Sequence, residues 1–386
     1  MSSKTKKNKY EIDMCSGSIM DKLIAFSLPL MLSGILQLMF NAVDIVVVGK
    51  FSGSEALAAV GSTSALINVF TNLFIGVSLG TNVLAARFYA SGREKEMSET
   101  VHTSLTFALI SGIVMSFVGL FCSRGALELM TTPEDVIGQA ALYMKIYFLG
   151  MPFFMLYNYG AAVLRAVGDT KRPLYFLVVS GILNAGLNMF LVIVFHMGVE
   201  GVAIATVISQ MVSCILVLHC LYHCEGSYQL RFSKLTIKKQ YLKPIFQVGI
   251  PAGIQSTVIN FSNVLLQSSV NSFGSIAMAG YTAANNIFGF LFVAVNSVTQ
   301  ACMSFTSQNF GAGKWKRMDK VLVNCIFLSV TVATLLGGGA YVFGPQLLKI
   351  YTNNPEVIQC GVEILLYTTV TYFLCGLMDL FPGALR

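Results

Sequence analysis

Charged residues are scarce in this sequence. Asp, Glu, Lys and Arg make up 11% of the 386 residues, whereas soluble domains carry roughly 25%. A chain with so few charges cannot cover a soluble surface. Apolar stretches of about 20 residues or more recur along it, and each is long enough to cross a bilayer as a helix. Because the short alternating segments of a membrane barrel are missing, we predict an all-α polytopic membrane protein.

The sequence also lacks the motifs of most enzymes. We find no phosphate-binding glycine loop and no nucleophile triad, which argues against direct ATP drive. We therefore predict no enzymatic activity, no catalytic residues and no cofactor. His219, Cys220, His223 and Cys224 have spacings that could hold zinc. They border a Lys-rich loop, so interfacial packing is the better interpretation and we predict no metal site.

Hydrophobic patterning predicts ten helices, which leave the basic residues in a few short segments. The predicted helices cover 22–49, 55–88, 98–123, 137–165, 173–196, 200–222, 244–272, 276–309, 318–343 and 357–386. Nearly all of the 25 Lys and Arg residues fall in the N-terminal tail and in the loops after every second helix. This bias predicts a cytoplasmic N-terminus. It also explains the net charge of +7 without a nucleic-acid partner.

An internal duplication has a period of about 221 residues. The matched positions are Pro29 with Pro251, Asn41 with Asn263, Gly92 with Gly313, Met97 with Met318, and Pro133 with Pro355. Six predicted helices separate equivalent positions, and an even number keeps both copies in the same membrane orientation. We therefore predict two parallel six-helix lobes.

The duplication also predicts the domain boundaries. We expect a cytoplasmic tail at 1–22, an N-lobe at 23–222, a basic linker at 223–243 and a C-lobe at 244–386. Arg386 is the counterpart of Arg165 in the first copy. The second lobe is therefore expected to lack its last two helices, and the chain is expected to be a fragment truncated after helix 10.

Two acids lie within predicted spans, where an ionised group costs several kcal/mol without a partner. These are Asp44 in the first helix and Asp379 in the tenth. Gln37 and Asn41 share one helical face with Asp44, and Asn184 and Asn188 lie one turn apart in the fifth helix. We interpret Asp44 as an ion- or proton-binding residue, with Asn41, Asn184 and Asn188 as its neighbours and Asp379 as a secondary candidate.

Further polar residues are predicted to face a substrate cleft, because lipid cannot satisfy their hydrogen bonds. They are Gln37, Asn260, Asn263, Gln267, Asn296 and Gln300. The alternative is that these amides join helices through hydrogen bonds. Pro29 and Pro251 interrupt their helices at equivalent places, and they are either static kinks or hinges.

Five segments carry a family resemblance: "LPLMLSGILQLMFNAVDIVVVGKFSGSEALAAVG", "LRAVGDTKRP", "GILNAGLN", "QNFGAGK" and "GLMDLFPGALR". They resemble the multidrug and toxic compound extrusion (MATE) transporters, particularly those of Gram-positive bacteria. Family members normally have twelve helices. Carried over by position, the family's first-helix acid falls on Asp44 and a companion amide on Asn184. An acid that some members carry in the fifth helix is Asn188 here.

The resemblance implies a secondary antiporter in the bacterial plasma membrane. It would export amphipathic, often cationic compounds in exchange for H⁺ or Na⁺ by alternating access, as a monomer in the bilayer. One alternative is a flippase for lipid-linked precursors, which would need a cationic cleft that the predicted spans lack. The other is a non-transporting membrane fragment.

Overall fold

The computed structural model describes residues 10–130 and 132–386, and every regular element in these ranges is helical. The predicted tail at 1–22 therefore lies partly outside the described residues. The α-helices of the described ranges are α1 (Ile19–Phe51), α2 (Gly53–Ala90), α3 (Glu94–Leu129), α4 (Glu134–Leu149), α5 (Met151–Ala166), α6 (Lys171–Met189), α7 (Val199–His223), α8 (Lys239–Asn271), α9 (Ser275–Gly311), α10 (Trp315–Val342), α11 (Gly344–Leu348) and α12 (Pro355–Leu385). A π-helical segment, Phe190–Val194, extends α6, and a short 3₁₀ turn, Phe232–Lys234, precedes α8.

The membrane-spanning character of these helices follows from their length and composition. Within the described residues, seven helices are long and apolar enough to cross a membrane, or up to nine if each of two bent pairs counts as one span. Helix α8 is not in this set, since its amide side chains and two internal prolines lower its mean hydropathy. The prediction of a polytopic all-α protein is confirmed.

One predicted helix is not continuous. The segment predicted as a single helix over 137–165 consists of α4 and α5, which meet at Gly150 with a bend of 47°. Pro152 has no backbone N–H, so the carbonyl of Phe148 lacks the donor four residues later that an α-helix normally supplies. The hydroxyl of Ser116 donates to that carbonyl instead, at 2.7 Å. The sequence interpretation overlooked this break because the apolar pattern continues across it.

Backbone geometry supports the internal duplication. Gly92 and Gly313 have φ angles of 69° and 67°, and Gly53 and Gly274 have φ angles of 90° and 97°. The members of each pair are separated by the repeat period and lie next to a helix end. All four adopt the left-handed backbone conformation, which glycine enters without strain. Helix α12 also bends, by 46° between Thr369 and Thr371, one repeat after the bend at Gly150. The two copies therefore share their turns and their kinks.

The chain divides into two compact units. Within the described residues, unit 1 contains 10–11 and 36–256, and unit 2 contains 12–35 and 257–386. The divisions fall inside α1 and α8, whereas the predicted lobe boundaries fall between helices. The predicted boundaries at 22/23, 222/223 and 243/244 remain predictions about the two lobes.

Close glycine contacts organise unit 1. A Cβ atom on Gly76 would lie 2.3 Å from the backbone nitrogen of Gly253, and one on Gly80 would lie 2.1 Å from the carbonyl oxygen of Ile245. A Cβ atom on Gly249 would likewise lie 2.4 Å from the Cα atom of Val77. Helices α2 and α8 therefore cross with their backbones in direct contact, as small residues permit within membranes.

Candidate functional site

Unit 1 contains a polar cavity of about 320 Å³. Side chains from α1, α2, α4, α5, α6 and α7 line it, so each helix of the first copy except α3 contributes. Its polar residues are Gln37, Asn41, Asp44, Asn68, Thr71, Asn72, Tyr143, Tyr147, Tyr157, Asn158, Ser180, Asn184, Thr206, Ser209, Gln210 and Ser213. Amides and hydroxyls dominate this lining, and Asp44 is its only carboxylate among the described residues.

Asp44 is held by an amide chain from α6. The Nδ2 atom of Asn188 donates to Oδ1 of Asp44 and also lies 3.3 Å from Oδ1 of Asn184. Asn184 in turn donates to the hydroxyl of Thr206 on α7, at 3.5 Å. Asn188 is completely buried and Asn184 is 6% exposed. A continuous polar chain therefore connects Asp44 to α7 through the interior of unit 1.

Glycine allows α1 and α6 to approach closely enough for this contact. A Cβ atom on Gly181 would lie 1.8 Å from Cε2 of Phe40, so no other residue fits at this position without movement. Gly181 lies two helical turns before Asn188, and Phe40 lies one turn before Asp44. The same close approach thus brings Asp44 within reach of the α6 amides.

The electrostatics of the cavity favour a positively charged occupant. Among the described residues that line it, none is Lys, Arg or His. The Oδ1 atom of Asn188 is buried and has no hydrogen-bond partner within the described part of the chain. A buried carboxylate without a counter-charge is costly, and an unused acceptor beside it adds to that cost. A bound proton or metal cation would reduce the free-energy cost of the carboxylate and that of the unused acceptor.

The predicted residues of the first helix and of α6 come together in this cavity. Gln37, Asn41, Asp44 and Asn184 line it, and Asn188 contacts Asp44 directly. Of the two predicted hinges, Pro29 lies within the part of α1 that belongs to unit 2, and Pro251 lies within the part of α8 that belongs to unit 1.

The predicted residues of the second copy lie in unit 2. They are Asn260, Asn263, Gln267, Asn296, Gln300 and Asp379. Nε2 of Gln300 donates to Oδ1 of Asn296 at 2.8 Å, one turn away on α9. Asp379 is half-buried on α12 and lies within electrostatic range of Arg386. Their predicted roles in a substrate cleft and in cation binding remain predictions.

Sequence reasoning missed part of the cavity lining. Asn68 and Asn72 lie one turn apart on α2, Tyr143 and Tyr147 lie one turn apart on α4, and Gln210 faces them from α7. These residues could have been found in the sequence as amides and phenols that recur at helical spacing within apolar spans. Such spacing identifies the polar face of one helix, but it does not show which helical faces line the same cavity.

Comparisons with known proteins agree with this architecture. The MatE family matches residues 29–190 and 251–386. The chain is similar to the probable multidrug resistance protein YoeA of Bacillus subtilis, at 30% identity over 96% of this chain and 81% of the relative. It is also similar to the probable multidrug resistance protein NorM of Thermotoga maritima, at 26% identity over 95% of this chain and 80% of the relative.

A solved structure shares the fold. It is described as the outward-facing conformation of a multidrug resistance MATE family transporter of the MOP superfamily. It matches with a TM-score of 0.91 at 21% sequence identity, covering 98% of this chain and 86% of that one. The predicted two-lobe helical fold is thereby confirmed. The two family-matched ranges begin at Pro29 and Pro251, which are equivalent positions of the repeat.

Proposed function

Since the chain belongs to the MatE family, which consists of transporters rather than enzymes, we propose that it exports amphipathic, often cationic small molecules in exchange for H⁺ or Na⁺. The observation that carries the proposal is Asp44 in a polar cavity without a basic residue among its described lining. The names of the relatives, both multidrug resistance proteins, support the substrate class.

In this mechanism Asp44 binds the coupling cation. The ionised carboxylate accepts a hydrogen bond from Asn188, which stabilises the negative charge while the cation is absent. An amide can donate through its nitrogen or accept through its oxygen. A rotated Asn188 side chain would therefore accept from a protonated Asp44, or its oxygen would coordinate Na⁺ beside the carboxylate. Asn41 and Asn184 supply further oxygens in the same cavity.

Helix α1 couples cation binding to substrate release. Pro29 removes one backbone hydrogen bond inside α1 and so provides a bending point in the helix that carries Asp44. When a cation neutralises Asp44, the hydrogen bond from Asn188 changes, and α1 bends at Pro29 in our mechanism. Pro251 is the corresponding hinge of α8. The cation and the drug need only favour different conformations for their movements to be coupled.

The remaining assignments belong to the same proposal. The protein acts in a bacterial plasma membrane of Gram-positive type, with its N-terminus in the cytoplasm, as the distribution of Lys and Arg indicates. It works as a monomer and needs no cofactor beyond the coupling ion. Asn260, Asn263, Gln267, Asn296 and Gln300 would face the substrate, with Asp379 as a second cation-binding acid.

A flippase for lipid-linked pyrophosphates is the competing function, and the cavity argues against it. Such a substrate carries several negative charges and needs Lys or Arg side chains to bind them. The described lining of the cavity in unit 1 offers a carboxylate instead. An anionic substrate beside Asp44 would be repelled.

Transport in reconstituted vesicles tests the proposal. The full chain is placed in proteoliposomes loaded with ethidium, and a Na⁺ gradient or a proton gradient is imposed separately. We expect ethidium to move against its own gradient under at least one of the two. If neither gradient drives uphill ethidium movement while fluorescence quenching shows ethidium bound to the protein, the antiport proposal is wrong.

A further inference from the structure

A second cluster of chemically active groups lies in unit 1, at the end of α7. The guanidinium of Arg172 donates from Nη1 to two sulfur atoms, Sγ of Cys220 at 3.1 Å and Sγ of Cys224 at 3.3 Å. Its Nε atom donates to the buried carboxylate of Asp169. Cys224 is 3% exposed and Cys220 is partly exposed. One arginine thus bridges two thiols that are one helical turn apart.

Contacts other than those with the two sulfurs hold Arg172 in position. Oδ1 of Asp169 accepts the backbone N–H groups of Lys171 and Arg172, at 3.1 and 3.0 Å, where α6 begins. The ring of Tyr10 covers the guanidinium, 5.5 Å away. Because the carboxylate uses Nε and the sulfurs use Nη1, the arginine binds the carboxylate and the two sulfurs with different N–H groups.

We propose that Cys220 and Cys224 form an arginine-activated thiol pair that reacts with small hydroperoxides to give a reversible disulfide. A thiolate beside a guanidinium is the form that attacks peroxide, and the partly exposed Cys220 gives a small oxidant its approach to the buried Cys224. The site is independent of the transport cavity. It requires no metal, and no group of three or more potential metal ligands is found in the described residues.

The charge state of Cys224 supports this reactivity. Cys224 is the first residue after α7: its backbone N–H still donates to the carbonyl of Cys220, at 3.0 Å, and the chain leaves the helix beyond it. The hydrogen bond from the Cys220 thiol, together with the positive charge of Arg172, lowers the pKa of Cys224 although its burial opposes this. In the proposed reaction Cys224 is therefore the attacking sulfur, and Cys220 is the thiol that resolves the intermediate.

The reaction proceeds in two balanced steps. The Cys224 thiolate attacks the distal oxygen of the hydroperoxide, forms an S–O bond and breaks the O–O bond, which gives a sulfenic acid and releases hydroxide or alkoxide. The Cys220 sulfur then attacks the sulfenic sulfur, forms the S–S bond and releases water as its proton is lost to the leaving hydroxyl. Both thiols are oxidised and one peroxide is reduced. Cellular thiols reverse the change by exchange.

A second thiol pair in unit 2 provides an internal control. Cys302 and Cys325 are hydrogen-bonded to each other and are both fully buried. Within the described residues, no arginine or lysine donates to either sulfur. If proximity of two thiols were sufficient for oxidation, both pairs would react at similar rates.

Site-resolved oxidation of the purified full-length chain tests the proposal. The protein is treated with hydrogen peroxide, free thiols are alkylated after denaturation, and each cysteine is quantified by peptide mass spectrometry. We expect the Cys220–Cys224 disulfide to form roughly tenfold faster or more than a Cys302–Cys325 disulfide, since the rate follows the thiolate fraction. In Cys220→Ser, dimedone should trap a sulfenic acid on Cys224.

Substitutions of Arg172 distinguish activation of the two thiols by the guanidinium from a mere effect of their solvent exposure. Arg172→Gln should slow oxidation of the pair about tenfold, and Arg172→Lys, which keeps the charge but cannot bridge both sulfurs in the same way, should lie between. Thermal unfolding checks that each variant is folded. If Arg172→Gln is not folded, the dimedone result on Cys220→Ser decides alone. Equal oxidation of both thiol pairs, an unchanged rate in folded Arg172→Gln, or no adduct on Cys224 would overturn the proposal.

Discussion

Asn188 on α6 donates its side-chain hydrogen bond to the carboxylate of Asp44 on α1, across 144 residues of sequence. Asn188 is completely buried, and its own oxygen has no partner among the described residues. This arrangement stabilises an ionised Asp44 while leaving an acceptor for a proton or a cation. The pair is therefore the structural basis of the proposed coupling mechanism.

Removing the Asn188 amide should impair transport more than removing a neighbouring amide. Asn188→Ala eliminates a hydrogen bond to a charged group, worth about 1.5–3 kcal/mol, so we expect the rate of gradient-driven efflux to fall roughly tenfold or more. Asn158→Ala is the matched control, because Asn158 lines the same cavity but bonds to Phe154 in its own helix at 2.8 Å. Equal effects of the two substitutions on ethidium efflux would contradict this role of Asn188.

The hinge role of Pro29 predicts a loss of transport without a loss of stability. Pro29→Ala supplies the missing backbone N–H and straightens α1, so we expect slower efflux and an unchanged or higher unfolding temperature. Pro345→Ala is the control, because Pro345 lies at the start of α11, where proline breaks no helical hydrogen bond. If Pro29→Ala transports ethidium at the original rate, the proline is only a static kink.

Because α2 and α8 are in close contact, adding one methyl group to a glycine of α2 should lower the free energy of unfolding only where that glycine faces α8. Gly80→Ala places Cβ against the carbonyl oxygen of Ile245, so we expect it to destabilise the protein by about 1–3 kcal/mol. Gly61→Ala in the same helix meets no atom within 4 Å, and it should be neutral or stabilising by up to about 1 kcal/mol. Thermal unfolding in detergent measures both, and a Gly80→Ala variant as stable as Gly61→Ala would refute the close crossing.

Two acid–arginine pairs in the described part of unit 1, Asp169 with Arg172 and Glu128 with Arg124, should differ strongly in their contribution to stability. Asp169→Ala leaves Arg172 and two backbone N–H groups without their acceptor, at a cost of about 3–5 kcal/mol for a broken buried pair. Glu128→Ala breaks an exposed pair with Arg124, worth less than about 1 kcal/mol. Similar unfolding temperatures for the two variants would show that the Asp169 contacts do not stabilise the start of α6.

The positions of the helices and their duplication could be predicted because both depend on local sequence. Gly92 and Gly313 were paired by spacing alone, and both adopt the same left-handed backbone. The break between α4 and α5 could not be predicted from the apolar pattern. It depends on Ser116 of α3 satisfying the carbonyl of Phe148, which is a contact between distant residues.

The candidate site was partly predictable for a similar reason. Asp44 and Asn188 carry a visible signal, since polar groups are costly inside apolar spans. Their contact depends on Gly181 meeting Phe40, which no spacing rule indicates. Tyr143 and Gln210 join the same cavity because α4 and α7 pack around it. Which helical faces meet is decided by packing, and one sequence alone does not specify it.

Replacing Asp44 with asparagine shows whether this carboxylate couples cation movement to drug export. Asp44→Asn and Asp379→Asn are reconstituted in proteoliposomes, and ethidium accumulation against its gradient is measured under imposed proton and Na⁺ gradients. We expect Asp44→Asn to abolish uphill transport under both gradients while the protein remains folded, because an amide cannot gain and lose a proton or balance a bound cation. Uphill transport by Asp44→Asn at the original rate would contradict the account, whatever the result for Asp379→Asn.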